Sequence, residues 1–413
     1  MTTFSDSALH FIDAATDDVR RRALWDRFAA SGLPTPSDEV WRYAPLKDLH
    51  LDEFAVSSEP SSGELAREIN ELTREAALVI HISNGHLGAV TSSLAGVDVS
   101  LELPGAEFGG RSFLERYDAD AFALLNGALS PGTITITVRS GTHVDGHIVI
   151  VHSISSGASW PSLRITVERG ASASVIECLL GGDDALVVPL SEYDIGENAE
   201  LLFATYQRLS SSAWHIARST SLLHRDARMH QAVVGLGGHY DRSRNDADFV
   251  GMGSVNRLHT TFLGSGNQVH DFRSHQRHLV GRTNSVLLSK GAVADESRSV
   301  YTGLIEIEKG ARRSDARQTN VNLLLSKAAH ADTVPNLDIK ENDVVCAHAS
   351  SVGPLDEMQR WYLESRGVDR DVAERLMVQG FFNEMTDAMP PSVAALVEGD
   401  VARVLAGTKV GAP

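Results

Sequence analysis

A turn-like cluster recurs at a constant interval through the middle of the chain, and this repeat limits the possible folds more than any other feature. The clusters centre on His143, Ala171, Ala199, Ala227, Val255, Thr283 and Ala311. Several of them follow a short run of alternating polar and apolar residues, which is typical of a β-strand. A 28-residue unit with two or more turns is too long for a hairpin repeat, and it contains no helix-length segment for a βαβ unit. The repeat therefore predicts the coils of a β-solenoid.

Seven such coils, stacked at the ~4.8 Å spacing of paired strands, predict a rod roughly 30 to 35 Å long. A rod of this kind has an open strand edge at each end, and open edges recruit other chains. Helical segments lie on both sides of the repeat, and we expect them to cap the two ends. Any apolar helix surface left over is then available for docking another protein.

Helical periodicity flanks the repeat on both sides. Apolar residues recur three or four apart near the N-terminus until Gly32, Pro34 and Pro36 interrupt the pattern, and a second short helix is predicted near 64–76. Three amphipathic helices are predicted after the repeat. The sequence thus predicts an N-terminal helical region, a β-helix core and a C-terminal helical region at 1–77, 78–354 and 355–413.

The charge of the chain disfavours a general nucleic-acid-binding protein. There are 37 Lys and Arg against 54 Asp and Glu, which gives a net charge of −17. Proteins that bind nucleic acid without specificity depend on neutralising phosphates with basic residues. Basic residues exceed acidic ones only in the middle of the chain, over 205–320, where an anionic ligand or an acidic partner surface is expected to bind.

The remaining composition indicates a cytoplasmic protein. Two cysteines, Cys178 and Cys346, cannot form a disulfide framework. The N-terminus lacks the pattern of a signal peptide, and no apolar run approaches the ~18 residues of a membrane span, so no membrane association is expected. Glycine clusters near 235–238 and 251–253 do not complete a nucleotide-binding motif, and no GxxxxGK[ST] sequence occurs.

Histidine is concentrated in one part of the chain, where eight of the 17 histidines lie between His215 and His278. Within a strand, the spacing of His270, His275 and His278 alternates between the two faces. They therefore do not converge on one metal locally. Either they form a basic, partly exposed face, or stacking of coils brings some of them together as metal ligands.

Cys346 and His348 are the most specific candidate site residues. They follow the strand-like run 337–345 and are two residues apart, so in an extended strand they share a face. Thiolate and imidazole suit iron, zinc or Cu(I), and two ligands leave a site for another molecule to complete. Alternatively, Cys346 packs as a small apolar residue and His348 is an ordinary histidine at the end of a strand.

Three segments resemble one known family. The runs 316–326 (ARQTNVNLLLS) and 332–368 (DTVPNLDIKENDVVCAHASSVGPLDEMQRWYLESRGV), with EVWRYAPL at 39–46, are similar to the SufB/SufD family. Members are subunits of the SUF iron-sulfur cluster assembly scaffold. The resemblance covers most of the chain and is closest to the SufD branch. It implies a right-handed parallel β-helix, mainly β in content and flanked by N-terminal and C-terminal helical regions.

The same resemblance implies a noncatalytic scaffold subunit and its partners. These would be a SufB-like paralogue and a SufC-like ABC ATPase, with a homodimer when the chain is alone. A nascent iron-sulfur cluster would form transiently at the interface with the SufB-like partner, and no cofactor would be tightly bound to the isolated chain. His348 corresponds to a proposed metal or cluster residue at that interface, whereas Cys346 stays open between ligand and packing residue.

Two positions depart from the patterns of the family. Asn320 lies where SufB-like chains carry a sulfur-accepting cysteine, so this chain is not expected to accept sulfur there. Ala349 replaces a glycine that is typical of the SufD branch, and this matters if the backbone there needs a positive φ. Ser350 is a further departure from the same motif.

Two other functions are compatible with the pattern. Parallel β-helices are common in carbohydrate-active enzymes, but these need clustered carboxylates and usually a secretion signal, neither of which is evident. A self-sufficient metal-binding protein that uses the histidine cluster is the other alternative.

Overall fold

The computed structural model describes residues 3–56, 67–102 and 119–407. Two large sheets wind into a β-solenoid of about eight turns, with helices on its N-terminal and C-terminal sides, which confirms the predicted parallel β-helix with flanking helices. The helices are α1 (Phe4–Asp13), α2 (Asp18–Ser31), α3 (Arg67–Arg74), α4 (Ala121–Leu129), α5 (Glu357–Ser365), α6 (Arg370–Thr386) and α7 (Pro391–Gly407). Short 3-10 turns lie at Glu39–Trp41, Leu46–Asp48 and Leu51–Glu53.

The strands alternate between the two sheets along the chain. They are β1 (Leu78–Ser83), β2 (His86–Val90), β3 (Val97–Glu102), β4 (Thr133–Val138), β5 (Ile148–Ile154), β6 (Gly157–Ser159), β7 (Ser162–Val167), β8 (Ser172–Gly181), β9 (Ala185–Val187), β10 (Leu190–Ile195), β11 (Glu200–Leu209), β12 (Trp214–Leu223), β13 (Arg228–Gly235), β14 (Tyr240–Phe249), β15 (Val255–Gly264), β16 (Val269–His278), β17 (Asn284–Val293), β18 (Arg298–Ile307), β19 (Asp315–Leu324), β20 (His330–Ile339) and β21 (Val345–Pro354). One sheet follows the order β2-β1-β5-β8-β11-β13-β15-β17-β19-β21, and the other follows β20-β18-β16-β14-β12-β10-β7-β4-β3.

The repeat found in the sequence appears directly in the strand register. Leu190 pairs with Arg218, and Leu201 pairs with Met229, so each residue meets the one that lies a full repeat later in the chain. Later coils are longer, as the pairing of Arg298 with His330 shows. The sequence-based estimate of seven coils misses the corner between β20 and β21, because the last coils are longer and this corner falls outside the 28-residue interval.

The repeated turn clusters are corners at which the backbone enters the left-handed region. Gly170, Asn198 and Asp226 occupy equivalent positions in successive coils, and all three have a positive φ. Glycine, asparagine and aspartate tolerate this conformation best, which explains the residue types at the corner. Each is followed by a buried alanine (Ala171, Ala199 and Ala227). The small side chain lets the chain turn close to the core.

The interior of the solenoid changes character along its axis. The first coils are filled by Ile, Val and Leu side chains such as Ile80, Ile150 and Ile165. Further along, amides from opposite sheets meet across the interior: Gln231 Nε2 donates to Asn245 Oδ1 at 3.1 Å, and Asn256 Nδ2 to Gln276 Oε1 at 2.9 Å. These bonds satisfy polar groups that would otherwise be costly to bury.

The two ends of the rod differ. At the N-terminal end, β2 and β3 pair antiparallel with β1 and β4 and end the parallel stack. Helices α1, α2 and α4 pack around Trp25 and Phe28 in one cluster with Trp214 of β12 and Tyr240 of β14. They therefore lie along the side of the sheet that contains β12 and β14 and do not cap this end, contrary to the expectation from sequence. The predicted continuous helical pattern there is two helices, separated by 14–17. Of the second predicted helix, 67–74 is helical and 64–66 lies outside the described residues.

The C-terminal helices do not cap the other end, which corrects the expectation from sequence. They lie along the outer face of one sheet, where Val378, Phe382 and Val397 pack against Tyr206 and Val234. The hydroxyl of Tyr206 donates to Asp400 on α7, many coils away from the C-terminal end. The apolar surface of α6 and α7 therefore packs against the side of the solenoid and leaves its end uncovered. Strands β20 and β21 each remain the outermost strand of a sheet.

No helix in the described ranges is both long enough and apolar enough to span a membrane.

We predict that Gly291→Ala destabilises the solenoid. A β-carbon at Gly291 would overlap the ring of Phe262, which is fully buried and stacked on Phe272 with 5.1 Å between ring centroids. Overpacking of this kind costs about 1 to 3 kcal/mol, so a lower melting temperature is expected. Gly399→Ala is the matched control, because its β-carbon meets nothing within 4 Å and alanine favours the helix. Equal melting temperatures for the two variants would contradict the tight packing around Phe262.

Candidate functional site at the open end of the solenoid

The last coil of the solenoid presents its interior to the outside. The side chains that continue the lumen on β21 are found from the register, since Cys346, His348 and Ser350 pair with the buried residues Ala316, Gln318 and Asn320 of β19. Paired residues of adjacent parallel strands point to the same side of the sheet. Ser350 Oγ also hydrogen-bonds Thr333 Oγ1 of β20 at 2.8 Å, across the lumen. We call the lumen-facing residues of the last coil the end face: Ala331, Thr333, Pro335, Leu337, Ile339, Cys346, His348, Ser350 and Val352.

The end face is partly apolar and exposed. Leu337, Ile339 and Val352 are 36%, 42% and 37% exposed, although the residues beneath Leu337 and Ile339, namely Ile305 and Ile307, are fully buried. The difference arises because no further coil covers them. The residues of β20 were missed by sequence reasoning, which placed one strand over 337–345. That run instead spans the corner between β20 and β21, and Cys346 lies within β21. The alternation of Pro335, Leu337 and Ile339 with polar residues is the sequence feature that could have identified β20.

Cys346 is half-buried against a small apolar cluster. It packs with Ile307, Ala311 and Ala316 at the rim of the lumen. Burial raises the pKa of the Cys346 thiol, and the negative charge of Asp315 raises it further. Cys178 is fully buried in an earlier coil, and burial raises its pKa to about 12. Neither cysteine has the electropositive surroundings that favour a resting thiolate.

His348 is exposed and has no hydrogen bond or ion pair with any residue that the structure describes. Beneath it in the lumen lies Gln318, whose side-chain amide oxygen and nitrogen are buried and have no hydrogen-bond partner among the described residues. Ala349 does not have a positive φ, so the alanine at this position carries no backbone strain. The imidazole of His348 is therefore free to bind a group that approaches along the axis of the solenoid.

Asn320 lies one layer inside the end face. It is fully buried, and its Oδ1 accepts a hydrogen bond from Asn322 Nδ2 at 2.7 Å. An amide held in this way is not a nucleophile towards sulfur.

The histidines between His215 and His278 do not lie on one face of the solenoid. His215 and His270 point into the lumen and both hydrogen-bond Asp241, at 2.7 and 3.2 Å. Burial acts to raise the pKa of Asp241, but these hydrogen bonds and the histidine charges outweigh it and hold the pKa well below its usual range. His275 is on the outer face and bonds Glu306 at 2.9 Å, as the predicted alternation requires. Within the described ranges, no three or more His, Cys, Asp or Glu side chains are grouped to hold a metal ion.

The fold and the end face define a class of protein: a β-solenoid with one unpaired end, at which a cysteine and a histidine share the lumen-facing side of the last strand. Residues 149–381 match the sequence family described as SUF system FeS cluster assembly, SufBD core domain. This match covers more than half of the chain, and the chain belongs to the SufBD core family. Its role is therefore in SUF iron-sulfur cluster assembly.

Relatives along nearly the whole chain carry the same assignment. The iron-sulfur cluster assembly protein SufD of Escherichia coli is 28% identical, over 87% of this chain and 86% of its own length. SufD of Bacillus subtilis is 28% identical, over 94% and 93%. A SufBD family protein of Mycobacterium tuberculosis is also 28% identical, over 86% and 84%. These matches confirm the resemblance to the SufD branch and favour it over a carbohydrate-active enzyme.

We predict that Cys346 of the isolated chain reacts slowly with alkylating reagents at neutral pH. A raised pKa leaves a smaller thiolate fraction than in an ordinary cysteine, so the pH at which the rate reaches half its maximum should lie above 9.0, the ordinary value for a thiol. Mass spectrometry of iodoacetamide-treated protein resolves the two cysteine peptides, and buried Cys178 should stay unmodified until the protein unfolds. Modification of Cys346 at pH 7 faster than glutathione would contradict this account.

Proposed function

We propose that the chain is a noncatalytic scaffold subunit that pairs through its end face with a SufB-like solenoid, and that a nascent iron-sulfur cluster forms between them. The observation that carries this proposal is the unpaired last coil. Its two outermost strands offer backbone hydrogen-bonding groups, and its lumen side offers exposed Leu337, Ile339 and Val352. A second solenoid that continued the stack would pair these backbone groups and bury the three apolar side chains.

The site chemistry supports the same arrangement. His348 and Cys346 are a borderline and a soft ligand on one side of β21, and iron accepts both. Two ligands do not complete a coordination shell, so the remaining ligands would come from the partner. Because the pKa of Cys346 is raised, its thiol would bind only if the incoming metal displaced its proton. His348 is accordingly the stronger candidate, and sulfur would be accepted on the partner rather than at Asn320.

The second partner is proposed to dock on the C-terminal helices. Met358, Trp361 and Tyr362 on α5 and Leu376 on α6 are exposed apolar residues, and Trp361 is 63% exposed. A cavity of about 380 Å³ between α6 and α7 is lined by Leu376, Phe382 and Val397 and by neighbouring residues. We call this surface the helical patch and assign it to a SufC-like ABC ATPase. That ATPase would hydrolyse ATP, since this chain has no GxxxxGK[ST] motif.

When the paralogue is absent, the same end face is available to a second copy of the chain. We therefore include a homodimer of the isolated protein in the proposal, with cluster assembly requiring the paralogue.

We predict that His348→Ala leaves the complex assembled but lowers its content of iron and labile sulfide severalfold, whereas Cys346→Ser has a smaller effect. Removing an exposed imidazole opens no cavity, so stability should change far less than the ~2 to 5 kcal/mol of a core truncation. The measurement is iron and sulfide per complex after co-expression with the paralogue and the ATPase. His330→Ala is the control, because His330 is an exposed histidine on neighbouring β20 outside the end face.

A His348→Ala complex that carries wild-type iron and sulfide would make His348 a structural residue. Loss of the complex itself in His348→Ala would instead assign the residue to subunit pairing, which the subunit ratio on gel filtration measures.

We predict that Trp361→Ala combined with Leu376→Asp abolishes co-purification of the ATPase while the paralogue stays bound. Truncating a central tryptophan of an interface typically costs about 2 kcal/mol or more, and the added carboxylate would be desolvated on docking. Val19→Asp changes another well-exposed apolar residue, on α2 and outside the helical patch, and should retain the ATPase. Full ATPase stoichiometry with the double variant would exclude the helical patch as the docking surface.

A further inference from the structure

A second pocket lies on the outer face of the solenoid. Two of its lining residues, Val334 and Asn336, are on the edge strand β20, where they alternate with the lumen-facing residues of the end face. It is formed where the 3-10 turn at Glu39–Trp41 and the residues after it cover the outer side of β14, β16, β18 and β20. Its volume is about 240 Å³. The segment that closes it is the EVWRYAPL motif at 39–46, which is not part of the end face or of the helical patch.

The motif is held in place by one buried arginine. Arg242 of β14 lies over the ring of Trp41, with its guanidinium carbon 3.9 Å from the ring centroid, and donates to the carbonyl of Val40 at 3.3 Å. Trp41 also packs on Phe122 of α4, with 5.1 Å between ring centroids. This anchoring fixes the next two residues, Arg42 and Tyr43, at the mouth of the pocket.

The floor of the pocket includes Arg244 and Arg273, which belong to a row of residues in register. Arg218, Arg244 and Arg273 are direct neighbours on β12, β14 and β16, and Thr302 follows on β18; Arg218 lies beside the pocket and does not line it. Like charges at the ~4.8 Å spacing of adjacent strands repel one another. Asp246 compensates the first two, lying 3.3 Å from Arg218 and 2.9 Å from Arg244.

Arg273 is less well compensated. Its side chain is only 10% exposed, and its Nε lies 3.3 Å from Asp271 without hydrogen-bond geometry. The hydrogen bonds that Asp271 accepts from Tyr240 and Arg242 both go to Oδ2, so Oδ1 faces Arg273 as an ion pair without a hydrogen bond. Burial lowers the pKa of Arg273; Asp271 opposes this effect, and the positive charges of Arg242 and Arg244 add to it. A further negative charge beside Arg273 would stabilise its buried guanidinium.

Two other groups point to the same ligand chemistry. Arg42 is exposed at the mouth and has no carboxylate partner among the described residues, although Glu39 also lines the pocket. Thr302 Oγ1 is buried in the lining and has no hydrogen-bond partner in the part of the chain that the structure describes. Two guanidinium groups and a hydroxyl match the several acceptor oxygens of a phosphate group.

We propose that this pocket binds a small phosphate-bearing molecule, with the phosphate held by Arg42, Arg273 and Thr302. The cavity is larger than a phosphate ion, and Tyr43, Leu304 and Val334 give it an apolar side for the rest of the ligand. His275, which hydrogen-bonds Glu306, lines the polar side. This assignment also places an anionic ligand within the basic stretch 205–320 that the sequence contains. It is independent of the proposed cluster site.

The test is calorimetric titration of the full chain with inorganic phosphate and ribose 5-phosphate, with ribose as the neutral comparison. Arg42→Gln and Arg273→Gln should each weaken binding of both phosphate compounds about tenfold, which corresponds to ~1.4 kcal/mol. Arg42 is exposed and makes no ion pair with any described residue, so its variant should fold normally even if Arg273→Gln does not. Arg169→Gln removes an exposed arginine at a distant corner and should bind like the wild type.

Three results would overturn the proposal. These are Arg42→Gln binding as tightly as the wild type, ribose binding as tightly as ribose 5-phosphate, and no binding of either phosphate compound at millimolar concentration. A hexaglutamate peptide that bound more tightly than ribose 5-phosphate would assign the pocket to an acidic protein segment instead.

Discussion

Parallel backbone pairing between successive coils holds this protein together, and that pairing has no end of its own. Every strand leaves a row of amide and carbonyl groups for the next one, so the stack continues until something stops it. At the N-terminal end, the antiparallel strands β2 and β3 stop it. At the C-terminal end, the last coil remains unpaired, because α6 and α7 lie along the side of the rod. The properties of the site follow from this asymmetry.

The open end gives ordinary lumen residues unusual exposure. In an inner coil, the positions of Cys346 and His348 are filled by buried Ala316 and Gln318. Only the missing next coil makes a thiol and an imidazole accessible along the axis. A partner solenoid would cover both and exclude water, so the same contact that buries the apolar residues of the end face would also enclose a nascent cluster. Subunit pairing and site formation would then be one event.

The local pattern of the sequence predicted the coils well because each corner depends on a few neighbouring residues. Asn198 and Asp226 have the left-handed conformation for which their residue types are suited, and Ala199 and Ala227 fill the space beneath. The alternation of His270 and His275 between inner and outer faces followed in the same way. Strand β4 and the three C-terminal helices were similarly evident from periodicity.

What could not be predicted depends on contacts between distant residues. Nothing local shows that Asp400 meets Tyr206, so the sideways packing of α7 was missed. The shared contact of His215 and His270 with Asp241 depends on register between coils, as does the row of Arg218, Arg244 and Arg273. For the candidate site, the spacing of Cys346 and His348 predicted only that they share a face, and the family resemblance made them candidates. The contact of Ser350 with Thr333 of β20 required the register of the last coil.

Hydrogen exchange of the backbone amides in β20 and β21 tests the central claim most directly. Exchange is measured by mass spectrometry on the chain alone and on its complex with the SufB-like paralogue. If the paralogue continues the stack, amides in 330–339 and 345–354 become strongly protected in the complex, while those in β2 and β3 at the other end do not change. A stable complex in which 330–354 exchanges as fast as in the free chain would contradict the account, since pairing would then occur elsewhere on the molecule.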